Sequence, residues 1–416
     1  MSTSGHQRIL LRAAKSPLRA APARETLDKN LIGTNSGNLI FSTAAVRMLT
    51  TSRTSVSTDI FNAKKADASW INERYDHFVI PLANAFRPDF SEHLEQMSAC
   101  IEQLKIPVTV FGVGAQAVGE GDPTELAPLA SHVRRFVGAV LDRSASIGVR
   151  GEFTANYLKS LGFGSSQVEI IGCPSMFLTD GVERVPTRAP ELTPQSRVAI
   201  NLTPHINGIR EMAERHRTAY RNIRYVAQDS RDLRIFLQRG WDTPQEDLDG
   251  APITPRDPIL APATSAFYLD PRTWIEELAQ VDVAFGTRIH GNVAALLAGR
   301  PAFVLAHDSR TLELARYFEI PYTDVSGPGG VTEINAAKIF ANADYTAMKS
   351  NHESRLRTTC TFLERNGLHH IYAPGESPRE FDVAIYALAL PPAVRAASPA
   401  RAAYRALRRR FRGGKR

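Results

Sequence analysis

Cysteine is scarce in this sequence, and its spacing excludes the usual uses of thiol clusters. Only three cysteines occur in 416 residues, Cys100, Cys173 and Cys360, and no pair has the Cys-x-x-Cys spacing of a zinc or redox site. Their odd number and wide separation also argue against a disulfide framework, so we expect a reducing compartment. His, Asp and Glu residues do not recur at metal-ligand spacing either, and we expect no bound metal.

Long hydrophobic runs are also missing. A membrane-spanning helix needs about 18 or more consecutive apolar residues, whereas the longest apolar stretches, such as 384–392, are far shorter. Hydrophobic residues make up 43% of the chain and charged residues 22%, a composition typical of a soluble globular enzyme. A chain of 416 residues is too long for one ordinary core, and we expect two domains with tails.

Acidic residues are missing from the C-terminal end. Residues 395–416 contain nine Lys and Arg and no Asp or Glu, so the formal charge of +7 comes from this end, and the rest is nearly neutral. This distribution, and the lack of an RNA-binding arrangement of aromatic residues, argues against a nucleic-acid partner. Residues 1–29 are also basic, but their apolar run, 9–11, is too short for a secretory signal. We predict that they form a disordered basic leader.

Apolar strand patterns alternate with helix patterns from about residue 30 onward. This alternation predicts parallel sheets that are covered by helices on both faces. A proline-rich stretch at 181–195 separates two such series. Within the second series, the charged segment 208–239 is predicted to be one long solvated helix, and the proline-rich segment 242–262 a loop.

We therefore predict an α/β fold with two doubly wound Rossmann-like domains that face a cleft. Ligands are expected at the carboxyl ends of the strands in such folds. The predicted units are the leader 1–29, an N-terminal domain 30–182, a linker 183–196, a C-terminal domain 197–375 and a C-terminal extension 376–416.

Arg288 and His290 lie in the most informative segment, residues 281–305. A predicted strand ends at Phe285, a glycine-containing turn follows, and a helix runs to Gly299. Both side chains therefore lie where free backbone N–H groups and the helix dipole favour an anion. Arginine adds a planar fork for phosphate or carboxylate, and histidine titrates near neutral pH. We predict a catalytic site here rather than a surface arginine and a hydrogen-bonded turn histidine.

This segment resembles the Arg-x-His-Gly signature of the polysaccharide pyruvyltransferase family, with Gly291 as its glycine. The resemblance spans roughly residues 31–340 and implies a GT-B-like fold. It also implies an enzyme that moves a pyruvyl group from phosphoenolpyruvate to a sugar hydroxyl pair. Other matching segments are the glycine-rich loop Asn35, Gly37 and Asn38, the loop with Gly114 and Gln116 after a central strand, and the strand end at Arg150.

The sequence departs from the family pattern at two places. Gly151 and Thr154 stand where the family often has an acidic residue and a serine, and Cys173 precedes a proline where Asp-Pro is common. Cys173 has no neighbouring base in the sequence, and we interpret it as a small buried residue rather than a nucleophile. For Arg150, a salt bridge to Glu152 stays open beside phosphate binding.

Phosphoenolpyruvate carries a phosphate and a carboxylate, and Arg288, Arg150 and a helix N-terminus would supply the cationic groups that it needs. We predict His290 as the acid and base, because an unperturbed imidazole pKa of roughly 6.5 suits both roles. No cofactor is expected, and the acceptor is a sugar or a lipid-linked oligosaccharide. The predicted substrate-binding residues are Arg150, Asn35, Gly37, Asn38, Gly114, Gln116, Gly291 and His205.

Histidines outside the motif are weaker candidates. His205 follows the strand that opens the second domain and would face the same cleft. His307 and Asp308 follow the strand 302–305, where capping of the next helix is the preferred interpretation. Two other functions stay open: a GT-B glycosyltransferase that uses a nucleotide sugar, and a non-catalytic scaffold of a polysaccharide assembly complex. No Gly-x-Gly-x-x-Gly motif supports an NAD enzyme.

The C-terminal tail has the pattern of a basic interfacial helix. Tyr404, Leu407 and Phe411 are spaced by three and four residues and are interleaved with arginines. A solvated tail is the alternative. We predict a cytoplasmic enzyme that is peripheral at the inner membrane face through contact of this tail with anionic lipid.

Overall fold

The computed structural model describes residues 6–59, 67–119, 121–238 and 257–396. Within these residues the chain forms two six-stranded sheets, and each pair of neighbouring strands in them is parallel. Helices connect the strands, as crossover connections between parallel strands require. The predicted α/β fold with two doubly wound halves is confirmed.

The first sheet is built from strands that are largely apolar. Its strands are β1 (Gln7–Leu11), β2 (Thr54–Thr58), β3 (His77–Pro81), β4 (Val108–Val113), β5 (Ile147–Val149) and β6 (Val168–Ile170), in the spatial order β2-β1-β3-β4-β5-β6. β3 and β4 are buried along their whole length, as expected for central strands covered on both faces. The helices of this half are α1 (Ala23–Asp28), α2 (Gly37–Leu49), α3 (Ala68–Arg74), α4 (Ser91–Ile101), α5 (Ala130–Leu141), α6 (Glu152–Ser160) and α7 (Gly181–Arg184).

The second sheet repeats this construction. Its strands are β7 (Arg197–Asn201), β8 (Asn222–Ala227), β9 (Ser265–Phe267), β10 (Val283–Gly286), β11 (Ala302–Ala306) and β12 (Tyr322–Asp324), in the order β12-β11-β10-β7-β8-β9. The chain order of the strands therefore reverses at β7 and β10, and a ligand crevice is expected at such a reversal. The helices of this half are α8 (Ile209–Ala219), α9 (Ser230–Gln238), α10 (Pro271–Leu278), α11 (Ile289–Leu297), α12 (Ser309–Tyr317), α13 (Ala336–Ala341), α14 (Thr346–Arg365) and α15 (Arg379–Tyr386).

The predicted disordered leader is wrong for residues 6–29. β1 lies between β2 and β3 inside the first sheet, and its apolar residues Ile9, Leu10 and Leu11 are buried. α1 follows and packs against α9 of the other half. Three apolar residues are too few for a secretory signal, but they suffice for a strand that is buried in a parallel sheet.

The predicted long helix at 208–239 is also wrong. The segment forms α8, β8 and α9, and β8 pairs with both β7 and β9. Ile223, Tyr225 and Val226 are buried in β8, whereas the guanidinium of Arg224 donates to the Glu277 carboxylate at 3.0 Å. Dense charge around a short strand with β-branched and aromatic residues thus produced a false helical pattern.

Two C-terminal segments connect the halves differently from the prediction. α14, assigned to the second domain, packs on the first sheet: its Phe362 ring lies 6.3 Å from that of Phe111, and Asn366 donates to the Ser146 hydroxyl at 3.1 Å. Further along, Val394 pairs with Phe267 at the end of β9. The chain from α14 onward therefore packs on both halves.

Among the helices that the structure describes, none has both the length and the apolar content needed to cross a membrane. Residues 242–256, which form most of the predicted loop, and the basic segment 401–416 lie outside the described residues. The remaining part of that loop includes a short 3-10 turn at Pro258–Leu260.

Candidate active site

The carboxyl ends of the two sheets enclose a cleft of about 600 Å³, which we call the donor cleft. Its walls come from the residues that follow β1, β3 and β4 in the first half and β7, β10 and β11 in the second. Opposed strand ends of this kind are where α/β folds bind ligands. The predicted site residues that line the cleft are Asn35, Asn38, Gln116, Arg150, His205, Arg288 and His290.

The three predicted glycines lie beneath the cleft and allow close packing. A Cβ added to Gly37 would lie 2.8 Å from Cβ of His290, and one added to Gly291 would lie 2.7 Å from the Gln228 amide. A Cβ on Gly114 would lie 3.0 Å from Cδ of Arg150. These glycines therefore let α2, α11 and the loop after β4 approach the side chains that line the donor cleft.

The turn between β10 and α11 is held by Asn201 at the end of β7. Gly286 has φ +147, and a side chain there would overlap the carbonyl oxygen of Asn201. The Oδ1 of Asn201 accepts from the backbone N–H of Arg288 at 2.7 Å, and its Nδ2 donates to Asn292 at 3.0 Å. The backbone N–H groups of Ile289 and His290, the first two residues of α11, have no partner within the helix itself.

Arg288 is already engaged by a carboxylate that the sequence reasoning missed. Its guanidinium binds both carboxylate oxygens of Asp229, and its Nε donates to the carbonyl of Leu202 at 3.1 Å. The bidentate pair fixes the plane of the guanidinium. Much of the charge of Arg288 is thereby balanced by Asp229. Asp229 follows the strand β8, which the prediction had placed within a helix.

His290 is buried, and the premise of an unperturbed imidazole pKa is wrong. Burial, followed by the nearby cations Arg150 and Arg310, lowers the pKa of His290 to about 3. Its ring packs against that of Phe41 with centroids 5.8 Å apart. The imidazole is therefore neutral near pH 7 without a ligand, so it can accept a proton but holds none to donate as an imidazolium.

Arg150 and Cys173 lie directly beside His290. Cys173 is buried, as predicted, but its Sγ lies 3.8 Å from Nε2 of His290 and 3.7 Å from Nη2 of Arg150. The hydroxyl of Ser175 donates to the same sulfur at 3.1 Å. The Nε of Arg150 donates to the Gly112 carbonyl at 3.0 Å. Among the described residues, Arg150 forms no salt bridge with Glu152, the predicted alternative partner.

Further residues line the donor cleft without having been predicted. Arg12 directly follows β1, and Arg310 is the second residue of α12. The buried amide of Gln228 has no hydrogen-bond partner for its Nε2 among the described residues, which leaves a donor for a ligand. The apolar run before Arg12 is the sequence signal for a strand that ends there. Gln228 has no such signal, because the charged segment around β8 has a helical pattern.

The remaining predicted histidines also reach the cleft. His205 is exposed at the carboxyl end of β7, and its ring centroid lies 6.3 Å from that of the half-buried His307. The predicted capping by Asp308 is confirmed, because its Oδ1 accepts from the backbone N–H of Thr311 at 2.9 Å. Among the residues described by the structure, no group of three or more His, Cys, Asp and Glu is arranged to hold a metal ion.

Comparison with known proteins agrees with the motif. Residues 35–309 match the family model of polysaccharide pyruvyl transferases, and a search of curated proteins finds no match. Solved structures similar to this chain include Anabaena HepE in complex with UDP-glucose, with 10% identity, a TM-score of 0.46, and coverage of 86% of this chain and 99% of that one. A putative UDP-N-acetylglucosamine 2-epimerase from Listeria monocytogenes has 9% identity and a TM-score of 0.43, and the match covers 91% of this chain and 95% of that one. A functionally uncharacterised protein from Klebsiella pneumoniae has 12% identity and a TM-score of 0.40, and the match covers 77% of this chain and 93% of that one.

The family match covers well over half of the chain, from the loop before α2 to the start of α12. It contains both strand ends that carry the cationic side chains, Arg150 and Arg288, and the helix that begins beside His290. On this evidence the chain belongs to the polysaccharide pyruvyl transferase family, which is a family of enzymes.

Proposed function

We propose that this enzyme transfers a pyruvyl group from phosphoenolpyruvate to two hydroxyls of a sugar and forms a pyruvate ketal. The observation that carries the proposal is the position of the family's Arg-x-His-Gly motif: Arg288 and His290 begin α11 inside a cleft with several arginines. A helix N-terminus with arginine beside it is a binding site for small anions. Phosphoenolpyruvate presents two anionic groups to such a site.

The chain offers several donors to the phosphate and the carboxylate. Arg150 and Gln228 line the cleft, and the first N–H groups of α11 point out of the helix there. Arg288 adds the part of its charge that Asp229 does not balance, and Asp229 holds its guanidinium in place. A ligand with one anionic group would leave some of these donors unpaired, and buried unpaired donors cost free energy. The supply of donors therefore favours a dianionic or trianionic donor substrate.

Proton transfer to the methylene carbon C3 is the step that needs an acid. His290 is neutral in the unoccupied protein because burial and cations lower its pKa. A bound phosphate is an opposite charge and favours the imidazolium. In this proposal His290 therefore takes up a proton when the donor binds and delivers it to C3. Positive charge then develops at C2, and a sugar hydroxyl adds there.

The departure of phosphate completes the first half of the reaction. Arg150 and the N-terminus of α11 stabilise the leaving phosphate by charge and by hydrogen bonds. A second sugar hydroxyl then adds to C2 and closes the ketal.

A ligand screen tests the donor. Thermal shift should show that phosphoenolpyruvate raises the melting temperature with increasing concentration, because a ligand that binds only the folded state stabilises it. UDP-glucose serves as the comparison, since a glycosyltransferase of the same architecture would respond to the nucleotide sugar. A shift with UDP-glucose and none with phosphoenolpyruvate would overturn the proposed donor.

We further propose that the acceptor is a lipid-linked sugar in exopolysaccharide synthesis and that residues 401–416 contact the inner membrane face. The support is the sequence pattern of this segment, which has three large apolar residues among arginines and no acidic residue. Each basic residue near an anionic membrane contributes about 1 kcal/mol. The enzyme would then work in the cytoplasm at the membrane surface.

A further inference from the structure

A second cavity of about 650 Å³ adjoins the donor cleft. It lies between the same two sets of strand ends: residues after β3 and β4 form one side, and residues after β7, β11 and β12 form the other. The two cavities share part of their walls. The shared residues are Arg87, Asp89, Gln116, His205 and His307.

The residues that line the second cavity suit a neutral polar ligand. Arg87 is the one cation, arginine or lysine, among the described residues that line it, and its Nε is paired with Asp89 at 2.7 Å. By contrast, the donor cleft also has Arg12, Arg150, Arg288 and Arg310. The polar groups of the second cavity are mainly carboxylates, amides and a hydroxyl, which suit vicinal hydroxyls, and apolar side chains lie among them. These residues are Glu125, Asp308, Asn207 and Ser326, with Pro88, Val118, Leu126, Ile206 and Val325.

The shared wall restricts which side chain can serve both cavities as a base. Arginine keeps its proton in proteins, and Asp89 is paired with Arg87. The side chain of His307 is 9% exposed, and its Nε2 faces the Asp308 carboxylate at 3.5 Å. His205 is exposed and lines both cavities, so it can reach a ligand in either one.

We propose that the second cavity is the acceptor subsite, which binds the sugar with the reacting hydroxyls, and that His205 is the base that accepts their protons. The assignment rests on the proposed function. It explains why a cavity rich in carboxylates and amides opens beside one rich in arginine: a neutral sugar and an anionic donor meet at the wall between them.

The electrostatic surroundings of His205 agree with this role. Partial desolvation in the cleft lowers the pKa of His205, and Arg288 and Arg310 lower it further, while Asp308 and Asp229 act in the opposite direction. His307 packs edge-on against its ring. His205 is therefore neutral near pH 7 and ready to accept a proton.

With His205 as the base, every proton that the sugar hydroxyls lose is accounted for in the products. The first sugar oxygen forms a bond to C2 as its proton passes to His205, while C3 gains a proton and the double bond is lost. The bond from C2 to the phosphate oxygen then breaks, and the phosphate leaves with that electron pair and a proton from His205. The second hydroxyl forms the second C–O bond and loses its proton to His205. Of the two hydroxyl protons, one balances the proton gained at C3 and the other leaves with phosphate.

Two glycines on the loop after β12 give a matched test. Gly327 lines the acceptor subsite and Gly329 does not; a Cβ added to either would meet no atom within 4 Å. Gly327→Trp should fill the subsite without straining the fold, and Gly329→Trp is its control. The probes are glucose, galactose, mannose and N-acetylglucosamine, followed by saturation-transfer NMR in the presence of phosphoenolpyruvate.

We expect the wild type and Gly329→Trp to show sugar signals and Gly327→Trp to lose them, with the thermal shift by phosphoenolpyruvate kept in all three. Loss of that shift in the wild type would instead refute the proposed function itself. Two outcomes would overturn only the assignment of the acceptor subsite, provided that phosphoenolpyruvate still raises the melting temperature. They are equal sugar signals in both variants and the lack of any sugar signal in the wild type.

His205→Gln tests the base. With the sugar that gives the strongest signal, phosphate release from phosphoenolpyruvate should fall at least about 100-fold, a typical contribution of a general base. The sugar signal and the thermal shift should stay. Release at the wild-type rate would remove His205 from this role, and a sugar that binds without stimulating release in the wild type would overturn the acceptor assignment.

Discussion

At the residue scale, the pairing of Arg288 with Asp229 determines how the donor cleft presents positive charge. The bidentate contact orients the guanidinium before a ligand arrives. It also explains why the motif needs arginine rather than any cation. An ammonium group is a point charge and cannot satisfy both oxygens of Asp229 in one plane.

Arg288→Lys should therefore lose most activity, with kcat/KM about 100-fold lower, which corresponds to about 2.7 kcal/mol. The reason is the loss of the fork that binds Asp229 and orients charge toward the donor. Arg357→Lys, at an exposed site on α14, is the matched control and should keep wild-type kinetics. Near-normal turnover of Arg288→Lys with an unchanged melting temperature would remove Arg288 from the active site.

His290→Gln tests proton transfer to C3 without changing the charge of the free enzyme. Because His290 is neutral in the free enzyme, the variant should still bind phosphoenolpyruvate by thermal shift. It should lose turnover about 100-fold or more, and lose the exchange of deuterium from D₂O into C3. If the variant fails to bind the donor, His290 is a binding residue and its role as the acid is wrong.

At the element scale, the turn that carries the motif depends on the end of β10. Gly286 has a left-handed φ of +147 and lies against the Asn201 carbonyl. The side chain of Asn201 accepts from the backbone N–H of Arg288 and donates to the side chain of Asn292. The position of Arg288 and His290 thus follows from two strands, and the helix α11 alone would not set it.

Gly286→Ala should lower the free energy of unfolding by about 3 kcal/mol or more, because it combines backbone strain with a steric overlap. Gly138, in α5, is the control: a Cβ there meets no atom within 4 Å, and alanine should stabilise the helix by about 0.5–1 kcal/mol. Urea denaturation of both variants gives the comparison. An equal effect of the two substitutions would contradict the described turn.

The halves are also joined by a buried carboxyl. Glu313 on α12 accepts from the backbone N–H of Thr154 at 3.1 Å and from its hydroxyl at 2.9 Å. Burial raises the pKa of Glu313 to about 8 from 4.5. This contact connects α12 of the second half with α6 of the first, directly behind the donor cleft.

The sign of the resulting pH dependence follows from proton binding. Between pH 4.5 and 8 the folded protein holds the Glu313 proton and the unfolded chain releases it, so stability falls as pH rises through this window. Glu313→Gln should remove that part of the dependence and make the free energy of unfolding flatter between pH 5 and 8. Identical pH profiles of the variant and the wild type would show that Glu313 does not titrate in this way.

At the scale of the whole molecule, the C-terminal extension packs on the second sheet as far as residue 396, which the sequence pattern did not predict. Val394 pairs with Phe267, Arg395 contacts the Glu277 carboxylate, and Ala396 is buried. A truncation that removes only the basic segment must therefore end after Ala396. Cutting earlier would unpair the chain that lies against β9.

Truncation after residue 396 should leave the melting temperature and the shift by phosphoenolpyruvate unchanged. It should abolish sedimentation with vesicles that contain phosphatidylglycerol, and binding of the full chain should weaken with salt, because the basic segment binds by charge. Vesicles of phosphatidylcholine alone are the control. Equal sedimentation of both proteins would exclude the segment as the membrane contact.

The local sequence pattern correctly predicted the features that depend on residues close together in the chain. Apolar runs such as those of β3, β4 and β11 identified parallel strands, and the turn before α11 identified an anion site, because strand burial and helix ends have local signatures. Short strands were missed where charge surrounds them. β1 was hidden in a basic leader and β8 in a charged segment, so Arg12 and Asp229 at their ends were missed too.

The sequence by itself determined the fold class, the family and the motif, since these rest on the order of residues along one chain. The tertiary structure alone decided the partners: Asp229 for Arg288, Cys173 for His290, and the cavity that adjoins the donor cleft. These groups are 59, 117 or more residues apart in the chain. Burial likewise changed His290 from a group that titrates near neutrality to a neutral one, because desolvation depends on the surrounding atoms and not on the residue type.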